Sequence, residues 1–202
     1  MDRAFQWLTS LESVIGAGKI KRIGNRAFSS CWNLANFEYP STAEVGEEAF
    51  CECQKLTGPD GMLIINRDLM AFDYGKYKET TAVSEETSIT IPYGVERISG
   101  IHLNDPWWVV NEFIIPDTVK YIDPDQFMIY GIESFKVIDQ YGATILDECF
   151  IPKSGYMVVD NDEFLDFCDE IETRILSTKK VLNSALLLES IAKETLPTAN
   201  MC

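Results

Sequence analysis

The chain repeats one pattern of residues at intervals of 23 and 22 positions. Leucine marks the interval at Leu11, Leu34 and Leu56. Between these leucines, residues 23–28 read Ile-Gly-Asn-Arg-Ala-Phe and residues 45–50 read Val-Gly-Glu-Glu-Ala-Phe. A unit of this length is too short to bury its own apolar side chains, so it buries them against neighbouring units. The repeat therefore predicts a solenoid.

The matching positions extend beyond these short segments. The first two units read Ile23-Gly24-x-x-Ala27-Phe28-x-x-Cys31-x-x-Leu34 and Val45-Gly46-x-x-Ala49-Phe50-x-x-Cys53-x-x-Leu56. Two later segments carry an Ile-Pro step before a Val-x-x-Ile step, at Ile91-Pro92-x-Gly94-Val95-x-x-Ile98 and Ile115-Pro116-x-x-Val119-x-x-Ile122. Together these motifs resemble the BspA-like class of leucine-rich repeats over residues 11–151. The resemblance implies a leucine-rich-repeat solenoid, α+β or mostly β, with short parallel strands.

A degenerate further unit is predicted after the second Ile-Pro segment. It carries Phe135, Val137, Ile145 and Phe150, and Ile145 lies 23 residues after Ile122. This spacing is that of the preceding repeats, although the motif itself is degenerate.

Three segments do not follow the repeat. Residues 57–86 break the period, and their apolar runs at 61–65 and 69–72, joined by a three-residue turn, predict an inserted β-hairpin. Residues 1–10 are predicted to form an N-terminal cap. Residues 160–202 are predicted to form a C-terminal cap of one or two helices over 160–196, followed by a tail. The solenoid itself is assigned to residues 11–159.

Composition and charge narrow the function classes. The formal net charge of -15 repels phosphate backbones, so nucleic acid is an unfavourable partner. Residues 1–7 lack the apolar run of a signal peptide, and no segment reaches the roughly 18 apolar residues of a membrane span. As written, the sequence predicts a cytoplasmic chain. A surface or secreted location is the expectation if an export signal has been removed.

The six cysteines predict reduced thiols rather than a disulfide framework, because a chain of 202 residues can build a core without them. Cys31 and Cys53 occupy equivalent places in adjacent repeats, so stacking sets them roughly 4.7–4.9 Å apart. A disulfide accepts Cα separations of roughly 4.4–6.8 Å, so a bond between them stays open. We expect a reduced packing ladder, since free cysteine behaves as a small buried hydrophobe.

No residue set predicts a catalytic, metal or cofactor site. Residues 51–53 (Cys-Glu-Cys) lack a second ligand pair for zinc, and His102 is the single histidine, which disfavours Cys-His and Ser-His-Asp mechanisms. Residues 16–19 (Gly-Ala-Gly-Lys) lack the hydroxyl residue that ends a phosphate loop, so they predict a turn. Residues 160–163 lack the glycine of a calcium loop. We expect no enzyme and no cofactor.

The sheet is the remaining candidate for a binding surface. We align the strands on Pro40, Pro92 and Pro116 and extend the alignment to the unit that begins at Phe127. Strand alternation then places one set of side chains inward: Phe37, Tyr39, Ile89, Ile91, Phe113, Ile115, Phe135 and Val137. Their neighbours face outward as a mixed stripe: Asn36, Glu38, Ser88, Thr90, Glu112, Ile114, Ser134 and Lys136. Such a stripe suits protein or glycan contact, and a plain solvated face is the alternative.

Residues 100–110 depart from the repeat and contain adjacent tryptophans, Trp107 and Trp108. In an extended segment one of two neighbouring side chains points inward and the other is at least partly exposed. An exposed tryptophan can anchor a protein or stack on a sugar. Both are therefore candidate contact residues, with packing as the alternative.

These observations predict a non-catalytic interaction module that binds a protein or a carbohydrate through its outward sheet face. The resemblance implies a bacterial surface or adhesion protein. The alternative is a structural spacer whose acidic, amphipathic C-terminal helices dock on a partner chain. The sequence carries no signature of oligomerisation, so a monomer is the default.

Overall fold

The structure is a computed structural model of the 202-residue chain. It describes residues 1–39, 42–81, 88–102, 110–123, 127–128, 134–149 and 162–195. Two α-helices lie within this part of the chain, α1 at Tyr74–Thr81 and α2 at Asp162–Thr195. Its strands are β1 Ser13–Val14, β2 Arg22–Ile23, β3 Asn36–Phe37, β4 Glu44–Val45, β5 Met62–Ile65, β6 Asp68–Phe72, β7 Ser88–Thr90, β8 Arg97–Ile98, β9 Ile101–His102, β10 Glu112–Pro116, β11 Tyr121–Ile122, β12 Phe127–Met128, β13 Ser134–Ile138 and β14 Thr144–Cys149.

Consecutive repeats pair as parallel strands at the spacing of the sequence repeat. β1 pairs with β3, with Val14 opposite Phe37, and β2 pairs with β4, with Ile23 opposite Val45. These partners are 23 and 22 residues apart, as the leucines of the repeat are. The parallel pairs β7 with β10, β10 with β13, and β8 with β11 extend the same arrangement. Each repeat therefore returns the chain beside the preceding repeat.

Glycine at one position of the repeat lets neighbouring turns touch. A Cβ atom on Gly46 would lie 2.6 Å from the backbone nitrogen of Asn25, and one on Gly24 would lie 2.2 Å from the carbonyl oxygen of Met1. Backbone atoms cannot accommodate a side chain at such distances, so the position requires glycine. The Gly of the Gly-x-x-Ala-Phe motif is thus a stacking position.

Residues 1–8 make the same turn as the two repeats that follow. Three backbone hydrogen bonds link the first turn to the second: Arg3 N–H to Asn25 O (2.8 Å), Phe5 N–H to Ala27 O (2.8 Å) and Trp7 N–H to Ser29 O (3.0 Å). Three more link the second turn to the third: Arg26 N–H to Glu47 O (2.9 Å), Phe28 N–H to Ala49 O (2.8 Å) and Ser30 N–H to Cys51 O (2.8 Å). In both sets the donors are every second residue of one turn and the acceptors are every second residue of the next. The segment predicted as an N-terminal cap therefore has the hydrogen-bonding pattern of a repeat turn.

Each of these turns also holds two non-glycine residues in the left-handed backbone region. The φ angles are 53° at Arg3, 53° at Arg26 and 52° at Glu48 for the first position, and 66° at Trp7, 61° at Ser30 and 60° at Glu52 for the second. A non-glycine residue adopts this conformation at a cost of roughly 1–2 kcal/mol. The recurrence at equivalent places shows that the turn geometry, and not the local residue, sets the conformation.

Stacked phenylalanine rings form the centre of the first of two hydrophobic cores. Phe28 stacks on Phe5 with ring centroids 5.0 Å apart and on Phe50 with centroids 5.4 Å apart. Phe37 meets both Phe28 and Phe50 edge to face, at 5.1 and 4.9 Å. Because equivalent positions of successive repeats stack directly, one aromatic residue per repeat builds a continuous ladder.

A β-hairpin within residues 57–86 is confirmed, since β5 and β6 pair antiparallel. The turn residues Asn66 and Arg67 both have left-handed φ angles, 51° and 67°, which is the geometry of a type I′ hairpin. The turn has two residues and not the predicted three, because Asp68 already pairs with Ile65 at the start of β6.

The second strand of this hairpin belongs to the repeat array. β6 pairs parallel with β8, with Leu69 opposite Ile98, so one sheet runs in the order β11-β8-β6-β5. The insertion thus supplies a strand between two sets of repeats and does not merely interrupt them. The helix α1 follows it, and the hydroxyl of Tyr77 accepts a hydrogen bond of 2.9 Å from the backbone N–H of Thr90 in β7.

The inward face predicted for the sheet is confirmed for three of its four strands. Six side chains of β7, β10, β13 and the residues next to them are fully buried: Ile89, Ile91, Phe113, Ile115, Phe135 and Val137. The prediction is wrong in placing β3 in the same sheet, because β3 pairs with β1 in a separate sheet. Phe37 is half-buried, and Tyr39 is 38% exposed although its ring packs on Phe37. No described strand covers the far edge of β3.

The predicted further unit follows the parallel arrangement at Phe135 and Val137 but not at Ile145. β14 instead pairs antiparallel with β13, with Leu146 opposite Val137. The side chain of Asp139 closes the intervening turn by accepting hydrogen bonds from the backbone N–H groups of Tyr141 (2.8 Å) and Ala143 (2.9 Å). This tight turn is too short for a parallel connection, so β14 ends the parallel ladder.

α2 is one continuous helix of 34 residues, not two. Its first half closes the second core with five buried side chains: Phe164, Phe167, Cys168, Ile171 and Ile175. Arg174 and Lys179 form ion pairs with Glu148 (3.5 Å) and Asp117 (2.6 Å) at the edge of the sheet. Beyond these contacts, every residue from 180 to 190 is exposed.

Phe50→Ala is expected to reduce the free energy of unfolding by about 3–5 kcal/mol, because it removes a fully buried ring from the stacked ladder. Urea unfolding followed by circular dichroism measures the change. Tyr141→Ala is the matched control, since that ring is exposed and its loss is expected to change stability by less than about 0.5 kcal/mol. Equal losses in the two variants would contradict the ladder as the source of stability.

Candidate functional site

Six of the predicted outward residues come together on one sheet, and we call them the sheet face. The strand register places them in two rows, Ser88–Glu112–Ser134 and Thr90–Ile114–Lys136. Neighbouring strands are about 4.8 Å apart, so adjacent members of each row are within contact range. All six are partly or fully exposed. The register of the repeat therefore builds a continuous polar surface with one large apolar side chain, Ile114, at its centre.

Ionic contacts order the middle of the sheet face. The ammonium of Lys136 donates a hydrogen bond to Glu112, and this contact raises the pKa of Lys136. Asp147 is the register partner of Lys136 on β14 and adds to the same effect. The cation thus lies between two carboxylates, which leaves an excess of negative charge on this part of the surface.

Asn36 and Glu38 lie apart from the other six residues, because β3 belongs to the β1–β3 sheet. Oε2 of Glu38 accepts a hydrogen bond of 3.0 Å from the backbone N–H of Gly16, before the short 3-10 helix Ala17–Lys19. The segment 16–19 is therefore a turn held by a carboxylate. Asn36 and Glu38 line a cleft of about 430 Å3 with Val14, Phe37, Tyr39 and Leu56 among its walls.

Trp107 and Trp108 lie outside the described residues. The structure instead exposes two other tryptophans, Trp7 at 61% and Trp32 at 48%. Their rings meet edge to face at 6.3 Å, and Nε1 of Trp32 donates to Oε2 of Glu52 at 3.2 Å. The sequence prediction missed this pair because it treated residues 1–10 as a cap. The signal was the Ala4-Phe5 step, which matches Ala27-Phe28 of the next turn.

The equivalent cysteines form a hydrogen-bonded ladder. Each thiol donates to the phenylalanine carbonyl of the preceding turn, from Cys31 to Phe5 and from Cys53 to Phe28, both at 3.1 Å. Both thiols are free and buried. Burial raises the pKa of Cys31 and raises that of Cys53 to about 12, so neither is a thiolate near neutral pH. These positions serve packing.

Thiol reactivity gives a direct test of this assignment. Among the described cysteines, Cys31, Cys51, Cys53 and Cys168 are buried and Cys149 is exposed. In a Cys202→Ser background, which removes a cysteine outside the described residues, the folded protein is expected to titrate one fast thiol with Ellman's reagent. Adding Cys149→Ser should abolish that fast phase. Fast modification of more than one thiol in the folded protein would contradict the buried ladder.

A buried polar group lies between β6 and β8. Arg97 is 3.6 Å from Oδ2 of Asp68 and 3.4 Å from Glu47, and its guanidinium lies 4.2 Å from the centre of the Tyr121 ring. Neither Oδ1 of Asp68 nor the hydroxyl of Ser99 has a hydrogen-bond partner among the described residues. Burial raises the pKa of Asp68 to about 6, although the nearby positive charge of Arg97 acts in the opposite direction. Asp68 itself is buried, so its carboxyl group is not available to a ligand at the surface.

Asp68→Asn is expected to remove a pH dependence of folding. The pKa of about 6 in the folded protein lies above the usual 3.8, so stability present below about pH 4 is lost as the pH rises through 6. Two pKa units correspond to about 3 kcal/mol. Urea unfolding at pH 4 and pH 7.5 should show the unsubstituted chain losing about 2–3 kcal/mol more than Asp68→Asn over this interval. Parallel pH profiles would contradict the raised pKa.

The described part of the chain has neither a metal-ligand cluster nor a membrane-spanning helix. No three His, Cys, Asp or Glu side chains there are grouped so as to hold a metal ion. No helix among the described residues combines the length and apolar character needed to cross a bilayer.

Stacked turns, parallel strands at the repeat spacing and the Gly-x-x-Ala-Phe step together characterise one kind of repeat protein. The family model for BspA type leucine rich repeat regions matches residues 1–132 in six copies. The chain belongs to the BspA-type leucine-rich-repeat family. Membership implies a repeat solenoid, and it agrees with the first turn beginning within residues 1–8. No curated protein and no solved structure matches the chain.

BspA-type repeats generally form non-enzymatic interaction modules, and they suggest protein binding. The family resemblance predicted from the sequence is therefore confirmed.

Proposed function

We propose that this BspA-type repeat protein binds a protein or a carbohydrate through the sheet face. The observation that carries the proposal is the register of β7, β10 and β13, which aligns Thr90, Ile114 and Lys136 across three strands. A row of this kind offers a hydroxyl, an apolar side chain and an ammonium at spacings of about 4.8 Å. An extended ligand segment can contact all three at once.

The residues of the face support a polar ligand with a small apolar contact. Ser88, Thr90 and Ser134 contribute hydroxyl groups that both donate and accept hydrogen bonds. Glu112 and Asp147 flank Lys136, so a ligand that carries a cation is favoured over an anionic one. A bacterial surface or adhesion role is the proposal that the family supports, and carbohydrate remains within the ligand class because hydroxyl and carboxylate groups bind sugars.

Ile114→Lys tests the sheet face, since Ile114 is the half-buried apolar residue at its centre. The immobilised variant is expected to lose at least about tenfold in affinity for ligands that the unsubstituted chain retains from a protein extract or a glycan array, because a lysine there adds charge and bulk. Surface plasmon resonance with each retained ligand measures the change.

Ile64→Lys is the matched control for this experiment. Ile64 is a strand isoleucine of the β5–β6 hairpin with its side chain 38% exposed, so its replacement adds the same charge away from the sheet face. Binding should survive in this variant. Equal loss in both variants, or retention of every ligand by Ile114→Lys, would count against the sheet face.

A second candidate function is that of a spacer that presents α2 to a partner chain. The exposed apolar side chains of α2 beyond Ile175 favour it: Leu176, Val181, Leu182, Leu186, Leu187 and Leu188. Five acidic residues, Asp162, Glu163, Asp166, Glu170 and Glu172, belong instead to the half of α2 that packs on the sheet. Docking in this candidate therefore uses leucines and lysines rather than an acidic surface.

A further inference from the structure

Two exposed tryptophans from successive turns stand nearly at a right angle to one another. Trp7 and Trp32 have 61% and 48% of their surface exposed, and their rings meet at 6.3 Å with an interplanar angle of 79°. In such an edge-to-face pair, one face of each ring borders the same inside corner. Because both side chains are about half exposed, this corner is open to solvent. Tryptophan is among the residues most enriched at binding hot spots, so an exposed pair is a candidate contact surface.

A carboxylate lies at the edge of this corner. Nε1 of Trp32 donates a hydrogen bond of 3.2 Å to Oε2 of Glu52, and the hydroxyl of the buried Ser30 donates one of 2.6 Å to the same oxygen. These contacts fix the indole of Trp32 and the carboxylate relative to each other. A site that is fixed in advance loses little side-chain freedom when a ligand binds. We call Trp7, Trp32 and Glu52 the tryptophan site.

The stacking of the turns brings the three residues together. Trp7, Ser30 and Glu52 occupy the equivalent position of three successive turns, each with a left-handed φ angle, of 66°, 61° and 60°. Trp32 follows Ser30 by two residues, and its ring contacts Trp7 of the preceding turn and Glu52 of the following one. The repeat therefore places an aromatic ring on one side of Trp32 and a negative charge on the other.

We propose that the tryptophan site binds a trimethylammonium group, such as that of choline or of a trimethylated lysine. A cation over an aromatic face is attracted by the ring, and tryptophan gives the strongest attraction of this kind. A cation in the inside corner contacts the faces of two indole rings and lies beside the carboxylate of Glu52. Its methyl groups are apolar, so they leave water more readily than the strongly hydrated ammonium of an unmodified lysine.

The charges of the chain favour a cation over an anion. The formal net charge of -15 attracts cationic ligands and repels anionic ones. Two positive side chains of the same turns are already engaged by neighbouring groups. Arg26 forms an ion pair of 2.7 Å with Glu48, and the ammonium of Lys55 donates a hydrogen bond of 2.6 Å to Oδ1 of Asn33. A ligand cation at Glu52 adds a further pairing of the same kind.

A sugar is a poorer occupant of the tryptophan site. A pyranose ring stacks on one flat aromatic face, and here the second indole stands nearly upright on that plane. A neutral sugar also gains nothing from the net charge of the chain. A compact trimethylammonium group fits between two nearly perpendicular faces and carries the complementary charge.

Titration of the full chain with choline, followed by NMR of the indole N–H signals, tests the proposal. Trp7→Phe and Trp32→Phe identify the two signals by their loss. We expect a saturable shift of both signals with choline. Dimethylbutanol, the neutral analogue in which a tert-butyl group replaces the trimethylammonium group, should bind at least about tenfold more weakly. The absence of a saturable shift up to about 50 mM choline, or equal binding of the neutral analogue, would overturn the proposal.

Glu52→Gln separates the charge of the carboxylate from the contact with the rings. Glutamine keeps an oxygen that accepts hydrogen bonds from Trp32 and Ser30 but carries no charge. Choline binding should weaken by about threefold in this variant, whereas binding of the neutral analogue should not change. Unchanged choline affinity in Glu52→Gln would overturn the proposal.

Trp7→Ala removes one of the two rings and should weaken choline binding at least about tenfold. Tyr141→Ala is the matched control, because it removes an equally accessible ring that is 85% exposed and should leave choline binding unchanged. Circular dichroism verifies that both variants remain folded. Equal weakening in the two variants would contradict the assignment.

The two sources of the group are distinguished by a peptide that contains one trimethylated lysine. Tighter binding of this peptide than of choline assigns the site to a protein partner, and the reverse order assigns it to a choline-bearing small molecule. The same peptide without methylation should bind at least about tenfold more weakly. Equal binding of the methylated and unmethylated peptides would overturn the proposal.

The inference does not rest on ligand binding by the sheet face. Ile114→Lys is expected to leave choline binding unchanged, because Ile114 lies on β10 and the tryptophan site lies on the first three turns. Trp7→Ala is likewise expected to keep the ligands that the sheet face retains. Failure of one proposal can therefore be observed separately from failure of the other.

Discussion

Close contact between successive backbone turns is the constraint on which the other features depend. Glycines at 24 and 46, and at 100 where a Cβ would lie 2.0 Å from the carbonyl oxygen of Met70, allow the turns to approach within hydrogen-bonding distance. Once the turns are fixed, equivalent residues of successive turns must stack. Phe28 therefore packs on Phe50, and Cys53 occupies the position in its turn that Cys31 has in the preceding one. The strand register, and with it the sheet face, follows from that stacking.

The sequence predicted those features that are determined by the number of residues in each repeat. The family, the parallel pairing and the alignment of Ser88, Glu112 and Ser134 all follow from counting residues between equivalent positions. The placement of Asn36 and Glu38 beside them failed because the alignment treated all repeats as adjacent. β6 takes up a strand position between the two sets of repeats, and a sequence alignment contains no information about which strands are neighbours across an insertion.

The C-terminal region shows a different limit. Its overall composition predicted acidic amphipathic helices, but most acidic residues of the single helix lie at 162–172, whereas its exposed leucines lie from residue 176 onward. Apolar residues on one side of α2 recur at the same intervals in its buried part (Phe164, Cys168, Ile171 and Ile175) and in its exposed part (Leu182 and Leu186). Periodicity therefore does not indicate which part contacts the sheet. Only the position of the last strands relative to the helix settles where burial ends. Burial ends near Lys179, whose ammonium forms an ion pair with Asp117.

The β5–β6 hairpin has a consequence for how the chain unfolds. Alternate residues of the hairpin enter different cores: Leu63 and Met70 belong to the core of the first repeats, whereas Met62, Leu69 and Phe72 belong to the core of the later ones. In a linear array of repeats, cooperativity passes only between nearest neighbours. A two-sided strand pair in the middle is then the coupling element of the array, and its strength determines whether the two halves melt as one unit or as two.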